Sequence, residues 1–175
     1  MAMSEKDIGR APADVCVYTD GLCVDGFTGT GLAVFRRGDL SELWYGLHGS
    51  DSTSKLAELR ALQHALWAAK DEIREGHSVA IFSDSDYAVW IVTDRQASKK
   101  LPRATPRSHA AIIQPAQQLY VELREQLTIH HAKGSAFGNK LAKVAANWAI
   151  DAQEQDLKRY RGPMEVEEIF AYTPE

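Results

Sequence analysis

The order of the apolar runs constrains this chain more than any single residue does. Val15-Cys16-Val17-Tyr18-Thr19 is β-branched and aromatic and predicts a strand that stops at Asp20-Gly21. A glycine cluster, Gly21, Gly26, Gly29 and Gly31, reads as the turn that follows. Leu32–Arg36 and Leu40–Leu47 predict two further strands joined by hairpin chemistry at Arg37-Gly38-Asp39. The period then changes. Leu59, Leu62, Leu66, Ala69 and Ile73 recur at helical spacing, with Asp51, Ser52 and Ser54 as candidate N-caps and Gly76 as the stop. Val79–Phe82 reads as a buried strand, Tyr87–Val92 as a short helix, and roughly 110–126 as a longer one. Leu127–His130 is a last strand and Lys140–Gln153 a final helix. Three strands in succession, then strands separated by helices, predict an antiparallel meander extended by right-handed parallel crossovers. The expected fold is an α/β domain: a five-stranded mixed sheet, three antiparallel strands then two parallel, with helices on both faces.

A chain of 175 residues, 45% of them hydrophobic, is enough for one domain with a real core. We expect a flexible lead over residues 1–13, the domain over 14–153, and a charged, weakly patterned tail over 154–175. The net charge of −4 carries no global positive field, so a nucleic-acid partner would need a local patch or metal ions. Arg95, Lys99, Lys100, Arg103 and Arg107 form such a patch, since no acidic residue falls between 95 and 121. Cys16 and Cys23 lack any Cys-x-x-Cys or Cys/His metal spacing, which excludes a disulfide scaffold and a zinc finger. The polar start and the lack of a membrane-length apolar run lead us to expect a cytoplasmic monomer with no membrane association. Trp44, Trp67, Trp90 and Trp148 fall within predicted elements and are expected in the core.

Three carboxylates stand out by position. Asp20 and Asp84 end predicted strands, where function collects in an α/β sheet. Glu58 shares a helix face with Leu62, Ala65 and Ala69, and a charge on an apolar stripe is costly unless compensated. A divalent cation shared by Asp20, Glu58 and Asp84 would compensate it, and hard oxygen ligands favour Mg2+ or Mn2+. Taken singly, each has a plainer reading: Asp20 as a turn former, Asp84 as the cap of the following helix, Glu58 as a partner of Lys55 or Arg60.

The segment Tyr18-Thr19-Asp20-Gly21-Leu22-Cys23 resembles the first strand of the type 1 ribonuclease H family. Ala57-Glu58-Leu59-Arg60-Ala61-Leu62 resembles its glutamate helix, and Ser83-Asp84-Ser85-Asp86-Tyr87 its Asp-Ser-x-Tyr segment. Phe137-Gly138-Asn139 resembles its Gly-Asn-opened final helix. The resemblance spans residues 14–152 and implies two-metal hydrolysis of the RNA strand of an RNA/DNA hybrid, with Asp20, Glu58 and Asp84 holding Mg2+ or Mn2+. It further implies hybrid contacts at Gly21, Leu22, Cys23, Ser54, Lys55 and Asn139.

Two positions depart from that pattern. The family's fourth carboxylate falls at Lys143, and its loop histidine at Lys133, with His130 and His131 two or three residues early. Three accounts of Lys143 stay open at this level: neighbours Asn139 and Asn147 substitute as oxygen donors, the ammonium replaces one ion, or cleavage is weakened or lost in a nucleic-acid-binding protein. Lys143 also fits a solvated stripe with Lys140, Asn147, Asp151 and Glu154.

Overall fold

The computed structural model describes residues 13–49, 53–94, 96, 107–134 and 136–175. The expected Asp51 and Ser52 caps and the basic residues Arg95, Lys99, Lys100 and Arg103 lie outside them. Strands β1 (Val15–Val24), β2 (Phe27–Arg36) and β3 (Asp39–His48) form the meander. Helix α1 (Ser54–Arg74) leads to β4 (Val79–Ser83), α2 (Asp86–Thr93), α3 (Arg107–Leu123), β5 (Leu127–His131) and α4 (Phe137–Ala152). Strand β6 (Lys158–Tyr160) and helix α5 (Val166–Ala171) close the chain.

The sheet order is β5-β4-β1-β2-β3-β6, with β1, β4 and β5 mutually parallel and the other pairings antiparallel. The mixed sheet is as expected, but it has six strands instead of five. The sixth comes from the segment read as a charged, weakly patterned tail, where Leu43, Trp44 and Tyr45 of β3 pair with Tyr160, Arg159 and Lys158.

Alternation along β1 explains its central place. Val15 and Val17 join Leu59, Leu62 and Leu66 of α1 in one core, whereas Cys16 and Tyr18 join Leu141, Ala142 and Trp148 of α4 in the other. Each fully buried leucine of these layers contributes about 1.5–3 kcal/mol. Trp44 and Trp148 are buried as expected; Trp67 and Trp90 are not, being 45% and 37% exposed on outward helix faces.

The glycine cluster is also corrected. Strand β1 does not stop at Asp20-Gly21 but runs on to a two-residue hairpin at Asp25-Gly26, both at positive φ. Gly29 and Gly31 lie inside β2 instead of in a turn. A Cβ on Gly31 would sit 1.9 Å from the Ala142 carbonyl oxygen, so these glycines serve close helix–sheet contact. Arg37-Gly38 forms the second hairpin as predicted.

Candidate metal centre and active site

Strand β4 ends at Ser83, which lies in register with Thr19 of β1. Asp20 and Asp84 are each the next residue, so the parallel pairing places the two carboxylates at the same sheet end. Gly21 brings the third. A Cβ there would lie 2.2 Å from the Ala57 carbonyl carbon and 2.5 Å from the Glu58 nitrogen. Only a glycine lets α1 approach this closely, and the approach delivers Glu58 beside Asp20. Thr53 starts α1, its hydroxyl accepting from the Leu56 N–H at 3.2 Å; Ser54 is the first helical residue rather than the cap.

One carboxylate oxygen from each of Asp20, Glu58 and Asp84 lies within 4.8 Å of the others. Asp84 is not the cap of α2, because Ser85 accepts the Ala88 N–H at 3.1 Å. Nor does Glu58 form an ion pair among the described residues. Glu58 Oε2 and Asp84 Oδ1 are buried with no hydrogen-bond partner among the described residues. Burial, then the charges of Asp20 and Asp84, push the Glu58 carboxyl far above the usual range. Burial and Asp84 also push Asp20 up, against the opposing pull of Lys143. Three crowded carboxylates with orphaned oxygens and hard donor atoms fit a divalent cation.

A second acidic group, Glu72, Glu75 and His77, is as tightly clustered but differs in kind. There Glu72 Oε1 is held by Arg36 and Oε2 by His77 Nδ1 at 2.9 Å. Its oxygens are already satisfied.

The three carboxylates line a cleft of about 430 Å³ together with Gly21, Leu22, Cys23, Ser54, Asn139 and Lys143. Asn139 is 2% exposed; its Nδ2 donates to the Thr19 carbonyl at 3.1 Å, while its Oδ1 is buried without a partner among the described residues. Gly138, beside it, packs so closely on Tyr18 that a Cβ would fall 2.2 Å from the ring. Helix α4 is thereby anchored to β1 next to Asp20.

The remaining candidates fall around the cleft. Lys55 is exposed and places its Nζ 5.3 Å from the Tyr87 ring centroid. His131 Nε2 lies 3.2 Å from the Asp84 carbonyl oxygen and 3.3 Å from Asp86 Oδ1, and the residue does not line the cleft. Lys133 is exposed and His130 bonds Thr128. Sequence reasoning missed Gly134, which lines the cleft where a Cβ would sit 2.7 Å from Asp84 Oδ2. Its only signal in the sequence is the Gly134-Ser135 pair between the last predicted strand and the final helix.

A mixed sheet of this order with carboxylates gathered where the β1–β4 pairing ends defines an α/β protein with an acidic cleft. The RNase H family model matches residues 12–152, and the chain belongs to the RNase H family. RNase H1 from the halophilic archaeon Halobacterium salinarum NRC-1 superposes with a TM-score of 0.61 at 22% identity, over 79% of this chain and 98% of that one. The N-terminal RNase H domain of Rv2228c from Mycobacterium tuberculosis, solved as a fusion with maltose-binding protein, gives 0.60 at 23%, over 80% and 95%. The foamy viral protease-reverse transcriptase, in complex with an RNA/DNA hybrid, gives 0.62 at 21% over 77% of this chain; the chain spans only 20% of that protein. These likenesses are of fold. Comparison with curated proteins gives no match.

Proposed function

We propose that this protein is a metal-dependent endonuclease that hydrolyses the RNA strand of RNA/DNA hybrids. The observation that carries the reading is the convergence of Asp20, Glu58 and Asp84, with two orphaned oxygens among them, in a cleft of a chain of this family. Family neighbours solved with a hybrid support the substrate.

Asp20, Glu58 and Asp84 would hold Mg2+ or Mn2+, which supplies Lewis acidity and activated water for attack on a phosphodiester. The chain's own groups do the rest. Asn139, fixed through its Nδ2, presents Oδ1 as an acceptor for a substrate hydroxyl; a 2′-hydroxyl is such a donor and separates RNA from DNA. Gly21, Leu22 and Cys23 line the same cleft, and Ser54 stands at the first turn of α1. Lys55 offers a cation to the phosphate backbone near that end. Lys143 stands where the family pattern has a fourth carboxylate and gives this site an altered charge.

The test is cleavage of labelled hybrid, duplex RNA and duplex DNA by the full chain with Mg2+ or Mn2+. Hybrid cutting is expected, and Asp20→Asn should reduce it by about a hundredfold or more, the scale of losing one preorganised electrostatic group. Hybrid binding without cleavage at any metal concentration, unaltered by Asp20→Asn, would instead make this a binding protein built on a nuclease fold.

A further inference from the structure

Among the described residues, Lys143 is the one cation lining a cleft otherwise furnished with oxygen donors. It follows Asn139 by one turn of α4, so both side chains project from one helix face into the same space. Asn147, the next residue on that face, is turned along the helix: its Nδ2 donates to the Lys143 carbonyl at 3.0 Å, and it does not line the cleft. Substitution by Asn147 as a donor is therefore not what the structure builds. Lys143 is nonetheless exposed, so it serves both as part of the solvated stripe and as a wall of the cleft.

A protonated lysine has no lone pair and cannot be a ligand; it acts as a point charge on a flexible stem. With all three carboxyls ionised, as cation binding requires, three carboxylates and one ammonium leave the cleft with two negative charges, which a single divalent cation neutralises. A second would leave the cleft positive and would have to settle against the Lys143 ammonium. The donor set agrees with this count. Three oxygens, one from each carboxylate, are close enough to share one centre, and the buried, unpartnered Asn139 Oδ1 adds a neutral donor to the same wall.

We propose, resting on the metal-dependent reading above, that the cleft holds one divalent cation and that the Lys143 ammonium supplies the second positive charge. The anionic partner of that charge is a phosphate of the nucleic-acid backbone. Lys143 is then a charge-positioning residue that takes the part of an ion.

Mn2+ titration of the full chain, followed by calorimetry and electron paramagnetic resonance, reads the stoichiometry without any turnover. Wild type and Lys143→Arg are expected to bind one Mn2+ per chain with an isolated-ion spectrum. Lys143→Asp is expected to bind two, with the broadened spectrum of neighbouring ions. Two ions in the wild type, or one in Lys143→Asp, would overturn the proposal and leave the nuclease reading standing. Asp20→Asn should weaken Mn2+ binding at least about tenfold. No binding by the wild type, or unchanged binding by Asp20→Asn, would overturn the metal-dependent reading and this inference with it.

Discussion

Gly21 and Gly38 are the same residue type under opposite demands. At Gly38 a Cβ meets nothing within 4 Å and only the positive φ is special, so Gly38→Ala should cost about 1–2 kcal/mol. At Gly21 the Cβ meets the α1 backbone, and Gly21→Ala should cost about 3 kcal/mol or more, with loss of hybrid cleavage as Glu58 is pushed off Asp20. Urea unfolding of the two variants checks the contrast; equal losses would refute the close-approach account. His64 makes a second prediction at this scale. It is 1% exposed, its Nδ1 bonds the Thr30 hydroxyl at 2.9 Å and its Nε2 faces His48 Nε2 at 3.1 Å. Burial above all, then His48 and Arg60, lower its pKa from 6.5 to about 3. The unfolded chain therefore binds a proton below pH 6.5 that the folded chain refuses, so stability is complete above that value and declines as pH falls toward 3. The loss at pH 5 should be about 2 kcal/mol, and His64→Gln should abolish that share of the slope in urea titrations. The three carboxylates were legible in the sequence because a charge on an apolar stripe and aspartates that close apolar runs are local signals, although β1 itself runs on past Asp20. Their being brought together was suggested by the cost of an uncompensated Glu58 and strengthened by the family pattern. Gly21 looked like a turn residue because composition does not distinguish a glycine that bends the chain from one that admits a neighbour.

The elements whose identity rests on periodicity were the legible ones. Helix α1 ends where Gly76, at a φ of +91°, takes the left-handed conformation, and β4 and β5 follow from short apolar runs. What escaped notice was β6 with α5. Lys158-Arg159-Tyr160 carries no strand signal of its own; it is a strand because the edge of β3 is there to pair with it. Side chains fasten it: Arg161 Nε donates to Glu42 Oε2 at 3.2 Å, and the Arg159 guanidinium lies 4.1 Å from the Trp44 ring centroid. Tyr160 and Tyr172 pack on Trp148 at 5.1 and 4.8 Å between ring centroids. Within α5, Ile169 is fully buried and Phe170 is 59% exposed. Ile169→Ala should lower stability by about 3 kcal/mol, whereas Phe170→Ala should stay within about 0.5 kcal/mol. Matching thermal melts for the two would mean that α5 is not docked as described.

The whole molecule carries a net charge of −4, so the nucleic-acid affinity that the proposed function requires has to be local. Among the described residues Lys55 and Lys143 stand at or beside the cleft, and Arg95, Lys99, Lys100 and Arg103 belong to a basic stretch of the sequence without acidic residues. Changing those four to glutamine should weaken hybrid binding uniformly across sequences and flatten its salt dependence, by about one in the log–log slope for each phosphate no longer neutralised. Anisotropy titrations over a range of salt read this directly, and an unchanged slope removes the segment from the interface. No helix among the described residues is long and apolar enough to cross a membrane. At this scale the mixed character of the sheet followed from the succession of strand and helix signals, while the extra edge strand did not, because pairing partners far apart in the chain leave no local trace. The Thr19–Ser83 rung has a consequence of its own. Since Asp20 and Asp84 are the residues that follow it on adjacent parallel strands, their spacing is fixed by main-chain geometry and not by the loops around them. Those loops are free to be rewritten, lengthened or exchanged for others that grip a different polymer, and the pair of carboxylates would travel unchanged into whatever new specificity results.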